Sequence, residues 1–130
     1  MPKKAYRSDP PPPFWMGSSK RDLIGFPTEI RRAIGSAIWE AQEGGKADYA
    51  KPLKGFGGAN VLEIVADGDG TTFRGVYTVR FDPFVYVLHC FQKKSKSGIA
   101  TPKADMDLIA DRLKRAKEHY EEWQKSKKSK

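Results

Sequence analysis

Residues 61–94 read VLEIVADGDGTTFRGVYTVRFDPFVYVLHCFQKK, from Val61 to Lys94. Three runs rich in Val, Phe and Tyr are separated by Asp67-Gly68-Asp69-Gly70 and by Asp82-Pro83. β-Branched and aromatic residues suit a pleated, half-buried surface, while Gly, Asp and Pro punctuate it. The stretch therefore predicts three strands, at 61–66, 72–81 and 84–92, joined as two hairpins. Arg74 stands inside the middle strand. A cation in an otherwise apolar strand needs an anion opposite it. Two are available: a phosphate brought by a ligand, or the carboxylate of Glu63 across the sheet.

Side chains alternate along a strand, so the register sorts them into two faces. If Asp82-Pro83 is a two-residue loop, Phe81 opposes Phe84, Thr78 opposes Val87, Val76 opposes His89 and Arg74 opposes Phe91. One face then collects Arg74, Arg80, His89, Phe91 and Lys93. The other carries Phe73, Tyr77, Val79 and Phe81 against Phe84, Tyr86, Leu88 and Cys90, and is expected to rest on helices. Asp-Pro is not a favoured pair for the usual hairpin turns, so this sorting holds only if the loop is tight.

Working outward, Ile30, Ala33, Ile34, Ala37, Ile38 and Ala41 recur at helical spacing and predict a helix over 28–43, stopped by Gly44-Gly45. A helical turn over 20–25 precedes it, and a short strand within 12–17 precedes that. Residues 46–60 form a loop rich in Lys and Gly. After the strands, Thr101 and Pro102 mark a helix start. Met106, Ile109, Ala110, Leu113, Ala116, Tyr120 and Trp123 give that helix one apolar face, ending near Trp123. The order β-α-α-β-β-β-α predicts an α+β domain: an antiparallel sheet with the helices packed on one face. It spans 12–123, between an N-terminal arm (1–11) and a basic tail (124–130).

The 130 residues carry 24 Lys and Arg against 16 Asp and Glu, a formal charge of +8. Seven of those cations lie in the two ends: Lys3, Lys4, Arg7, Lys125, Lys127, Lys128 and Lys130. Without them the body holds 17 basic and 16 acidic residues. Its positive excess falls on 51–103, with 8 basic and 4 acidic groups. The charge thus points to a polyanion met at the strands and the loop before them. Cys90 is the lone cysteine, which excludes a disulfide framework and a zinc cluster of cysteines. Asp67-Gly68-Asp69 is too short for a calcium loop. With no apolar run long enough to cross a membrane and no apolar signal segment, a cytoplasmic protein is expected.

Several segments together resemble the RelE/ParE toxin superfamily, and within it the phage-derived HigB-like branch. They are Gly17-Ser-Ser-Lys-Arg-Asp-Leu23, Phe26-Pro27, Lys51-Pro-Leu-Lys-Gly-Phe-Gly57 and Val61-Leu-Glu-Ile64. Phe73-Arg-Gly-Val-Tyr77, Val87-Leu-His-Cys-Phe-Gln-Lys-Lys94, Thr101-Pro102 and a closing helix with Arg112 complete the set. The resemblance implies a RelE-like fold and a toxin that cleaves mRNA at the ribosome, with no metal or cofactor. It also implies restraint by a helix-turn-helix antitoxin. Members that poison DNA gyrase share the fold, and so would a non-catalytic nucleic-acid-binding module; fold alone does not choose among them.

Metal-free RNA cleavage uses the 2′-hydroxyl as nucleophile and needs cations placed around the phosphorane. Arg74, with a rigid bidentate guanidinium, is the expected phosphate ligand. Lys93 and Lys94 are expected to share phosphate binding and leaving-group protonation. Lys54, in the glycine-rich loop, is an RNA contact or a base. His89, if it faces Arg74, is expected to act as an acid or a base. Lys51, Arg80 and Lys96 are expected to bind the RNA backbone, and Phe91 to stack a base.

Overall fold

A computed structural model describes residues 10–58, 60–68, 70–93 and 101–128. In chain order the elements are β1 (Phe14–Trp15), α1 (Ser19–Ile24), α2 (Thr28–Gln42), β2 (Lys51–Pro52), β3 (Val61–Gly68), β4 (Thr71–Thr78), β5 (Tyr86–Lys93) and α3 (Lys103–Lys128). The five strands form one sheet in the order β1-β5-β4-β3-β2. The α+β class is as expected. The sheet is mixed, however, because β1 runs parallel to β5 while the other neighbours are antiparallel. Among the described residues no helix is long and apolar enough to cross a membrane.

The helices do not share one face, which corrects the expectation. On one side α1 and α2 bring Leu23, Ile30, Ile34, Ala37, Ile38 and Ala41 against Leu62, Ile64, Phe73, Tyr77, Val87 and Cys90. On the other, Ile109 and Ala116 of α3 close over Val61, Val76, Tyr86 and Leu88, together with Phe81. The physical reason is that Val61, Val76 and Leu88 make a second apolar strip. Left open to water it would be unstable, so α3 covers it. Gly75 permits the closest approach on the α2 side. A Cβ there would meet Ile34 Cγ2 at 2.7 Å, so only glycine lets α2 lie this near the sheet.

The register prediction holds at one end of β4 and fails at the other. Arg74 faces Phe91 and Val76 faces His89, as expected. Tyr77 then pairs with Val87 and Thr78 with Tyr86, one residue off. Leu88 is the residue skipped, a bulge in β5 that sets Leu88 and His89 toward the same side of the sheet. The connection from β4 to β5 is also not a tight loop: it runs from Val79 to Val85, with a cis bond at Asp82-Pro83. Longer loop and bulge offset each other, so the Arg74 end keeps the predicted partners. Beyond the bulge the faces exchange. Tyr86 and Leu88 join the α3 side, and Val87 joins the α1 and α2 side.

Three further differences are local. Lys51 and Pro52, expected in a loop, form the edge strand β2 against Glu63 and Leu62. The edge position leaves proline's missing N–H without consequence. α3 continues past Trp123 to Lys128. Its last turn is lysine-rich, which favours a helix C-terminus, and Lys127 lies over the Trp123 ring at 5.1 Å. Tyr120 and Trp123 stack at 5.6 Å and meet Phe81 and Phe84 of the β4–β5 connection. Ala110, assigned to the apolar face, is instead exposed.

Candidate functional site

Arg74 and Glu63 lie on neighbouring strands. Arg74 pairs with Val65 and Glu63 with Val76, so the two are diagonal neighbours on one face. Arg74 Nη1 donates to Glu63 Oε2 at 2.9 Å and to Thr101 Oγ1 at 3.3 Å. Thr101 Oγ1 donates in turn to the same Glu63 oxygen at 3.1 Å. The carboxylate is thus the observed anion for Arg74, the cross-sheet partner that the strand pattern had left open. Arg74 is only 6% exposed. A buried ion pair of this kind is strongly disfavoured if one partner is removed, and its net contribution to stability is small.

The pair lines a cleft of about 620 Å³, within the range of small-ligand sites. Tyr49, Lys51, Pro52 and Leu53 form one side, with Lys54 beside them. Val65, Thr101 and Met106 complete it. Lys51 and Lys54 are exposed at the rim. The turn that follows Lys54 depends on glycine: Gly55 has φ +99 and Gly57 has φ +73. The Met106 side chain of α3 rests against Gly55, where a Cβ would meet its Cε at 3.1 Å.

The remaining predicted residues are distributed more widely. Phe91 faces Arg74 across β4 and β5 and is half-buried. His89 stacks on Phe91 at 4.5 Å with planes 17° apart. Its Nε2 lies 2.8 Å from Asp105 Oδ1, and its Nδ1 is 3.5 Å from Arg112 Nη1. Arg112 Nη1 also donates to the Leu88 carbonyl at 2.8 Å. His89 is therefore a buried bracket between sheet and α3, and it is not part of the cleft wall. Lys93 is exposed at the end of β5, opposite Thr72 and two residues beyond Phe91. Arg80 was expected on the ligand face of the middle strand. That strand ends at Thr78, so Arg80 sits in the connection and donates to the Phe56 carbonyl at 3.3 Å. It braces the glycine loop from outside. Lys94 and Lys96 lie outside the described residues.

Of three further groups in or beside the site, the sequence offers Glu63 only as an alternative partner of Arg74 and does not single out Tyr49 or Asp105. Glu63 carried a signal, since it is an acid at the parity of Arg74 in the neighbouring strand. Tyr49 carried none, because loop residues have no period. Asp105 lies in the first turn of α3, where an acidic residue is ordinarily explained by the helix terminus alone. Behind the site, burial pushes the Cys90 thiol up to about 12, with Asp22 adding to the effect and Arg112 opposing it. That thiol is an inert core group, because reactive cysteines need an accessible thiolate.

The site thus combines one guanidinium, one carboxylate held against it, two rim lysines and an apolar wall. Such a set can hold a phosphodiester and move a proton beside it. The family described as "Phage derived protein Gp49-like (DUF891)" matches residues 21–114, which include β2 through β5, the cleft cations and Arg112. No curated protein and no solved structure matches the chain. With most of its length matched, the chain belongs to the phage-derived Gp49-like family, a family associated with RelE-type toxins of toxin–antitoxin systems.

Proposed function

We propose that the chain is the toxin of a type II toxin–antitoxin pair and an endoribonuclease of HigB-like type that cuts mRNA at the ribosome. A helix-turn-helix antitoxin is the partner this reading requires. The observation that carries it is the Arg74–Glu63 pair in the wall of a cleft edged by Lys51 and Lys54. A cation inside a sheet has no need of a cleft if it serves folding alone.

In the proposed reaction the phosphodiester enters beside Arg74, whose guanidinium stabilises the charge that develops on the phosphorane. Glu63, paired with Arg74 and Thr101, takes the proton of the 2′-hydroxyl. The 2′-oxygen attacks phosphorus, and the bond from phosphorus to the 5′-oxygen breaks. Lys54 binds the departing strand, and a lysine of the pair Lys93 and Lys94 supplies the proton to the 5′-oxygen. Lys51 holds the RNA backbone at the rim. Phe91 stacks a base, and His89 is a positioning residue that sets the Phe91 ring. Arg80 acts through the glycine loop, and Lys96 adds a backbone contact. The products are a 2′,3′-cyclic phosphate and a 5′-hydroxyl.

Incubating the purified chain with programmed ribosomes and mapping mRNA ends tests the chemistry. Cyclic-phosphate and 5′-hydroxyl ends within coding sequence are expected. RNA binding without such ends would assign a non-catalytic binding module instead. Intact mRNA together with a DNA-damage response in cells would assign a gyrase-directed toxin.

A further inference from the structure

The phosphate chemistry uses one side of the cleft and leaves the other unexplained. Tyr49 lies in the segment between α2 and β2, between the buried residues Ala47 and Ala50. Its hydroxyl donates to the Ala33 carbonyl of α2 at 2.8 Å, which holds the ring in place. Even so, the residue is 46% exposed, and Val65 on β3 is 41% exposed. Both line the cleft with Lys51 and Lys54. The sheet and helices already bury Phe26, Phe73 and Tyr77, so the fold has no need of an aromatic ring left open here. A pinned tyrosine offers a rigid apolar face at little entropic cost, because it has few rotamers to lose.

We propose that Tyr49 is a stacking platform for one base of a single-stranded RNA whose phosphates lie on Lys51 and Lys54. The proposal rests on the RNA reading of the cleft and adds to it a subsite at Tyr49, separate from Phe91, which does not line the cleft. Cations that track the backbone beside an aromatic that takes a base form the usual arrangement for single-stranded nucleic acid. The bound stretch would then be unpaired, since a base within a duplex has no free face to offer. Stacking tolerates every base, so this subsite contributes affinity and register with little sequence preference.

The test is a fluorescence-anisotropy titration of the full chain with a labelled hexamer of 2′-O-methyl riboadenylate. That probe lacks the 2′-hydroxyl nucleophile and so stays intact. Tyr49→Ala is expected to bind about tenfold more weakly, the size seen when a stacking aromatic is truncated. Its salt dependence should match the wild type. Lys51→Ala should instead flatten the salt slope by about 0.7, the value for one phosphate contact on a single strand. Tyr49→Phe keeps the ring but loses its bond to the Ala33 carbonyl, so it should bind no better than the wild type and more tightly than Tyr49→Ala, and an abasic hexamer should not distinguish wild type from Tyr49→Ala. If Tyr49→Ala does not fold, Tyr49→Leu, with similar bulk and no π-face, should give the same loss. Wild-type binding that depends on the lysines but is unchanged in Tyr49→Ala or Tyr49→Leu would overturn the stacking proposal alone. No binding by the wild type, or binding indifferent to Lys51, would overturn the RNA reading of the cleft as well.

Discussion

At the scale of single residues, Arg74 and Glu63 each depend on the other. Removing Arg74 leaves a largely buried carboxylate without its cation, and Thr101 alone cannot replace it. Arg74→Ala is therefore expected to lower stability by about 3–5 kcal/mol, the range for breaking a buried ion pair. Adding Glu63→Gln should recover a substantial part of that loss, because the stranded charge is gone and the two changes couple. Growth arrest should stay abolished in the double variant. Urea titration of the two single variants and the double variant checks this; strictly additive losses would show that the contact at 2.9 Å carries little energy. Arg74 was legible in the sequence because arginine in a strand of Phe, Val and Tyr is chemically conspicuous. Its partner was open to two readings, since alternation places Glu63 on the right face but cannot choose a carboxylate over a ligand's phosphate. Tyr49 was not legible at all, because its position depends on how one loop crosses α2.

The elements repeat that contrast. The three central strands and the long α2 were legible because each bears one period throughout. The bulge at Leu88 was not, because an extra residue in one strand leaves no mark in the apolar pattern. It decides which residues share the face of α3, adding Tyr86 and Leu88 to the side where His89 meets Asp105 and Arg112. The side chosen by α3 was equally hidden. Its apolar stripe states that it is covered, and the partner strip on the sheet exists only once the bulge is known. The contact between α2 and β4 gives a direct check. Gly75→Ala is expected to destabilise the fold by about 1–3 kcal/mol through overpacking against Ile34. Ile34→Ala alone should also destabilise it, and the double variant should lose less than the sum of the two. Thermal melts of the three variants would show the coupling. A neutral Gly75→Ala would mean that α2 does not lie this close to the sheet.

For the molecule as a whole, sheet and helices enclose groups that resist losing protons. Burial raises the Cys90 thiol from 9.0 to about 12 and the Tyr86 phenol from 10.0 to about 12, the latter with help from Tyr120. Burial also raises Tyr77. Each is held in its protonated form by the fold. The native chain therefore keeps protons that the unfolded chain releases once pH exceeds the unfolded values. Their contribution is fully present below about pH 9 and is lost as pH rises toward 12. Melting temperature is expected to fall steadily from pH 9 to pH 11, and a flat profile across that interval would contradict the burial described for this core. The distribution of charge also belongs to this scale. The ends carry seven of the 24 basic residues, while Lys51, Lys54 and Arg74 line one cleft.

If this cleft cuts mRNA as proposed, Arg74 is the residue on which cleavage most directly depends. Wild type, Arg74→Ala and Arg74→Ala/Glu63→Gln would be induced in a bacterial host, with the amount of folded protein measured in each and new mRNA ends mapped. Growth arrest with fresh ends inside coding sequences is expected for wild type, and neither for the double variant at equal folded amounts. Equal arrest and equal ends from wild type and the double variant would contradict that dependence on Arg74.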